Sequence, residues 1–132
     1  MKLASVLAAL LAFASLAFAD PQGFYIVNGE NPDGSEYGGT VSVERTGETY
    51  AVTWDIGGTI FEGTALGAAP VKGMTIMGPA DENDYVLTVG YVSGPDNFGI
   101  AYYIEQDDGT WQGIWAFGGS DIVATESWVR AE

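Results

Sequence analysis

The stretch "VSVERTGETYAVTWDIGGTIFEGTA", residues 41–65, decides how this chain folds. Tyr50, Val52, Trp54 and Ile56 alternate with Ala51, Thr53 and Asp55, and Val41 and Val43 alternate with Ser42 and Glu44. A period of two is how a strand reads when one face is buried and the other is wet. "TGE" and "GG" break the pattern; they are too short for a crossover helix and carry glycines that supply the positive φ of tight turns, so neighbouring strands run antiparallel.

Working outward, the alternation marks eight runs, at about 23–29, 37–45, 49–56, 59–66, 85–92, 98–105, 110–117 and 122–130. "NPDGSE", "SGPDN", "QDDG" and "GGSD" separate others of these runs with the same turn chemistry. The expected fold is all-β: an antiparallel up-and-down meander of about eight strands, closed into a small barrel because closure removes both exposed edges. A two-sheet β-sandwich is the alternative. Residues 67–84, "GAAPVKGMTIMGPADEND", are too long for a hairpin turn. Their middle, Val71 to Met77, reads as a ninth short strand or a flap, with Met74, Ile76 and Met77 as an adaptable apolar cover over one barrel mouth or as a plain surface hairpin.

The first residues read as an export signal. Lys2 precedes an apolar run from Leu3 to Phe18, and Ala17-Phe18-Ala19 has the small-x-small form of a cleavage site. The run falls short of the ~20 residues that span a bilayer. Residues 1–19 are thus expected to be removed, leaving 20–132 as a single barrel domain, periplasmic or extracellular, without membrane insertion. No cysteine is present, so neither a disulfide nor a lipid-bearing cysteine is available.

The formal charge is −14, and −15 once Lys2 leaves with the signal, since 18 carboxylates then face only Arg45, Lys72 and Arg130. Such a field repels nucleic acid and anionic lipid, and attracts cations or a basic protein partner. Aromatic residues make up 13% of the chain, which sets it apart from acidic disordered sequences.

The absence of histidine and cysteine removes Ser-His-Asp and Cys-His nucleophile systems and the usual zinc and haem ligands. No catalytic residue, cofactor or metal is expected. Paired carboxylates for glycoside hydrolysis are the one catalytic alternative, but 18 acids make some close pairs inevitable and therefore uninformative. Asn31, Asp33, Ser35 and Glu36 around Gly34 resemble half a calcium loop, yet Pro32, Asp33 and Gly34 are each explained by a turn, as are "PADEND" and "QDDG".

Aromatic residues are the better functional candidates. Parity puts Tyr50 and Trp54 on one face, as it does Trp111, Gly113, Trp115 and Phe117, and Tyr102 with Ile104 is assigned to the same interior. Eight-stranded barrels are either filled by side chains or hold one small ligand. Glu126 shares parity with Trp128, and if buried its charge requires Arg45, Arg130 or a donor from a ligand. The candidate ligand-binding residues are Tyr50, Trp54, Tyr102, Trp111, Trp115 and Glu126, with Trp54 expected as packed core and Trp115 closer to a mouth. Aromatic-x-Gly recurs at 37–39, 61–63 and 111–113, where glycine leaves room for a bend or a neighbouring ring.

"G-x-Y" at 23–25, "NPDGS-x-Y-x-G" from Asn31, "Y-x-V-x-W" from Tyr50 and "W-x-G-x-W" from Trp111 cover most of residues 20–132 outside the methionine-containing segment. With them the chain resembles a group of small exported proteobacterial proteins, some labelled fibronectin-binding protein. The meander is also similar in architecture to avidins and lipocalins, although a lipocalin-type opening has G-x-W where this chain has Gly23-Phe24-Tyr25. The resemblance implies an exported interaction or binding protein and transfers no ligand residue. The expected function is a non-catalytic module that binds a small or extended ligand in an aromatic-lined interior or mouth. An acidic adhesion protein for a basic partner is the alternative, and a carboxylate glycosidase the third reading.

Overall fold

In the computed structural model, residues 20–131 are described. The export segment expected at 1–19 lies outside the described residues. Nine strands follow in order: β1 Gly23–Glu30, β2 Glu36–Thr46, β3 Thr49–Ile56, β4 Thr59–Val71, β5 Met74–Gly78, β6 Val86–Val92, β7 Phe98–Glu105, β8 Trp111–Phe117 and β9 Ala124–Arg130. All pairings are antiparallel. Because β1 pairs with both β2 and β9, and β4 with both β3 and β6, eight strands form a closed barrel and β5 adds a ninth outside the ring. Closure excludes the sandwich.

The alternating pattern is realised strand by strand. Tyr25 and Val27, Val41 and Val43, Tyr50, Val52 and Trp54, and Trp111 and Trp115 all point inward and are buried. Trp128 stands at the centre, with Tyr103 stacked at 4.1 Å and Tyr25, Trp54 and Trp111 within 6.3 Å between ring centroids. Each such ring pair contributes ~0.5–1.5 kcal/mol beyond the area it buries.

The turn alternation gives the barrel two unlike ends. At one end lie the link after β2, the long link after β4, the link after β7 and the chain termini. This end is stoppered. Residues 79–85 fold back across it, with the Ala80 amide donating to the Glu48 carbonyl (2.9 Å) and the Tyr50 hydroxyl donating to Asp84 Oδ2 (2.6 Å) and the Asp81 carbonyl (2.9 Å). Residues 20–22 seal the rest: Tyr25 donates to the Pro21 carbonyl (2.5 Å), Arg130 to the Asp20 carbonyl (2.7 Å), and Arg45 forms an ion pair with the Asp20 carboxylate (2.7 Å).

Within the segment 67–84 it is residues 79–84, not the methionines, that cover the closed end. β4 runs on to Val71, turns through Lys72 and Gly73, and returns as β5, giving the surface hairpin that the sequence left as one of two readings. Met74, Ile76 and Met77 are exposed, Met77 at 85%, and stand at the closed end, away from the open mouth.

Candidate functional site

The links after β1, β3, β6 and β8 surround the other end, and below them lies a cavity of about 140 Å³. Its wall is aromatic: Tyr37, Trp54, Phe61, Tyr91, Tyr103, Trp115 and Phe117, joined by Ile56, by Asn31 at the rim and by Glu126 at depth. The rings meet edge to face, Tyr37 with Trp115, Trp54 with Tyr91, Phe61 with Tyr91 and Trp115 with Phe117, so they brace one another around the cavity.

Glu126 is 7% exposed and accepts four hydrogen bonds from neutral donors. Oε1 takes Trp54 Nε1 (2.9 Å), Trp128 Nε1 (2.6 Å) and the Tyr103 hydroxyl (2.9 Å), while Oε2 takes the Tyr37 hydroxyl. An indole N–H can only donate, and an ionised carboxylate can only accept, so this donor set suits the anion. Neither arginine reaches it. Arg45 is engaged with Asp20 and lies over the Tyr50 ring, and Arg130 binds Gln22, Asp20 and Tyr25, all at the closed end. The sequence reading offered Glu126 an arginine or a ligand; within the chain, four neutral dipoles hold it instead.

Missing side chains make this convergence possible. Gly29 of β1 lies directly opposite Tyr37 of β2 on one side and Glu126 of β9 on the other. A Cβ at Gly29 would overlap the Tyr37 ring, so its absence lets the ring cross β1 and reach the carboxylate. Gly113 plays the same part for Tyr103, its cross-strand partner and likewise a donor to Glu126.

The phenols around the carboxylate hold their protons tightly. Burial, then the charge of Glu126 and the hydrogen bond to it, push Tyr37 and Tyr103 well above the usual phenol range. Burial and Glu126 push Tyr91 up to about 12. These groups therefore act as hydrogen-bond donors across the physiological range, and general-base work by a phenolate is outside their reach.

Of the six residues expected from sequence, Trp54, Trp115 and Glu126 meet in this cavity. The expected contrast between the two tryptophans is absent, since both line the space and are 4% and 8% exposed. Trp111 is interior but fully packed on the closed-end side, and Tyr50 is spent on the Asp84 stopper. Tyr102 is a correction. It points outward and is 43% exposed, as does Ile104, while Tyr103 takes the interior place. Outer positions of β7 carry Phe98, Ile100, Tyr102 and Ile104, more apolar than the inner Ala101, Tyr103 and Glu105, and hydrophobicity therefore pointed to the wrong face. Tyr37, Phe61, Tyr91 and Tyr103 were missed as site residues, although Tyr37 and Phe61 each open an aromatic-x-Gly repeat.

Glu126 is the single carboxylate on the cavity wall, so the acid-and-nucleophile pair of a glycosidase has no second member there. Among the described residues no group of three or more carboxylates is placed to hold a metal ion. The loop at 31–36 closes as a turn: Gly34 has φ +84°, and Asp33 Oδ1 accepts from the Ser35 amide (2.9 Å) and hydroxyl (2.6 Å). No protein-family model matches the chain, and no curated protein matches it.

Proposed function

We propose that this protein is an exported, non-catalytic binding module, periplasmic or extracellular, that takes a small ligand into the open end of its barrel. The observation that carries the reading is the aromatic cavity itself, a space of about 140 Å³ beside a buried carboxylate at the open end of a barrel whose other end is stoppered. Filled eight-stranded barrels need no such space, and ligand sites are typically apolar pockets with a few placed polar groups. The size suits an occupant of benzene-like bulk, because an apolar cavity of ~150 Å³ accommodates one benzene molecule.

Titration of the protein with a panel of neutral, anionic and cationic compounds of that bulk, followed by tryptophan fluorescence and melting temperature, tests this. Binding by one class, weakened by Trp115→Ala, is the expected outcome. A panel that moves neither signal would overturn the reading.

A second reading rests on the open-end surface. Glu30, Asp33, Glu36, Asp55, Asp96 and Asp121 are all exposed there, which suits adhesion to a basic protein partner, as the resemblance also implies. Partner binding that weakens steeply with salt while the cavity stays empty would favour it.

A further inference from the structure

The cavity and the charge map agree on one class of ligand. We infer that the pocket binds a small methylated ammonium ion, with Glu126 as its counter-ion and the surrounding rings as its cage; this rests on the binding reading above and specifies the ligand.

Three observations lead there. The first is the carboxylate. Glu126 is enclosed at the cavity wall with four neutral donors, and none of the described cations, Arg45, Lys72 and Arg130, lines the cavity. Its oxygens are unequally used, with three donors on Oε1 and Tyr37 alone on Oε2, so Oε2 keeps capacity for a positive charge. The second is the wall. Ring faces attract cations through their quadrupoles, and the attraction grows when water is excluded. A primary ammonium would strand N–H donors against those faces, whereas a fully methylated one has no donor to satisfy and presents only apolar methyl groups.

The third observation is the charge around the open end, for acids outnumber cations at both ends but only the closed end has cations among the described residues. Among the described residues the cations are Arg45, Lys72 and Arg130, and all three lie at the closed end, two pinning residues 20–22 and Lys72 at the tip of the β4–β5 hairpin. The open end carries acids and no base. Charge of one sign around a low-dielectric cleft concentrates the opposite ion at its entrance. A cation therefore meets an attractive field on approach, an aromatic wall on entry and a carboxylate at depth, while an anion meets repulsion at each stage.

The test compares ligands of one shape and different charge. Wild-type protein is titrated at constant ionic strength with choline, with its uncharged isostere 3,3-dimethylbutan-1-ol, with ethanolamine and with acetate, by calorimetry and tryptophan fluorescence. Choline is expected to bind about tenfold or more tightly than the neutral isostere, with ethanolamine weaker and acetate silent. Glu126→Gln, checked for folding by circular dichroism, is expected to erase the preference for choline while keeping affinity for the neutral isostere. Equal affinity for choline and the isostere in wild type would overturn the inference and leave the binding reading standing. Binding of panel compounds other than methylated ammoniums, with choline silent, would do the same. Silence of every compound would overturn both. The wild-type comparison decides the matter even where the glutamine variant fails to fold.

Discussion

Replacing Glu126 by leucine should destabilise the barrel, although it removes a buried charge and supplies an apolar side chain of similar size. The reason lies in what is left behind. Trp128 is fully buried and away from the cavity wall, and its indole N–H, 2.6 Å from Glu126 Oε1, would lose its acceptor with no route to water. Each buried donor left without a partner costs ~1–3 kcal/mol. Trp54, Tyr37 and Tyr103 border the open cavity, so water can enter and recover part of their loss. Relief from burying the carboxylate offsets some of the total, and a net loss of about 2–4 kcal/mol follows, a sizeable share of the ~5–15 kcal/mol that holds such a domain together. Urea unfolding followed by far-ultraviolet circular dichroism measures it without relying on tryptophan emission. A double-mutant cycle with Trp128→Phe isolates the hydrogen bond, since the smaller ring costs volume in both backgrounds but orphans nothing once leucine is present. A coupling of ~1 kcal/mol or more is expected for groups in direct contact. Glu126→Leu as stable as wild type, or a coupling near zero, would refute the assignment of Glu126 as the acceptor that holds the core donors.

Gly29→Ala should act on the same site from outside it: its Cβ would displace the Tyr37 ring, giving ~1–3 kcal/mol of overpacking in a thermal or urea melt together with weaker ligand binding, and an unaltered Tyr37 environment would refute it. Stability should fall sharply above pH 10. Burial raises Tyr25 to about 12 and pushes Tyr103 well above the usual phenol range, so the folded state keeps protons that the unfolded state releases. Their stabilising effect is complete below the unfolded phenol value near 10 and is lost as pH rises through the folded values, at ~1.4 kcal/mol per pH unit for each enclosed phenol. Absorbance at 295 nm should accordingly show these phenols ionising only as the barrel unfolds, and early, non-cooperative titration would contradict this. Millimolar calcium should leave the melting temperature within about a degree of a sodium control at equal ionic strength, because a bound ion would add RT ln(1 + [L]/Kd) and Asp33 already spends Oδ1 on Ser35. A shift of several degrees abolished by Asp33→Ala would show a site there.

The fold was legible because most barrel strands carry their own alternation and most turns their own glycine, both local properties of the chain. Where both faces of a strand are apolar the signal disappears, and β7 was inverted for that reason, with Tyr102 and Ile104 assigned to the interior. The site was half legible. Parity with Trp128 marked Glu126, but its donors come from β2, β3, β7 and β9, separated from it by 89, 72, 23 and 2 residues. Their convergence depends on register around a closed ring, and a single sequence does not reveal that register. The pairing of glycine with tyrosine shows the same limit: Gly29 opposite Tyr37, Gly113 opposite Tyr103 and Gly99 opposite Tyr91 are adjacent only after the strands are aligned.

Nothing in the barrel's architecture calls for a carboxylate at position 126. Alternation, closure and the aromatic stack around Trp128 would all survive with an apolar residue there and phenylalanines in place of its donors, and an apolar set of that kind is often the more stable arrangement. The closed end uses charge in two ways: Arg45 lies against Asp20 and Arg130 against backbone carbonyls at the rim, while the buried carboxylate of Asp84 is held by dipoles, the Tyr50 hydroxyl and the Asp81 amide. Glu126 is likewise enclosed and held by dipoles in place of a cation, but unlike Asp84 it borders the aromatic cavity, where a ligand can reach it. Departures from the rules of a stable core concentrate where a protein has a task to perform. The glycines point the same way, because Gly29 and Gly113 each give up a core side chain so that a phenol can reach this one carboxylate. The cost in packing is spread over three strands, β1, β8 and β9, and a single site at the open end gathers what it makes possible.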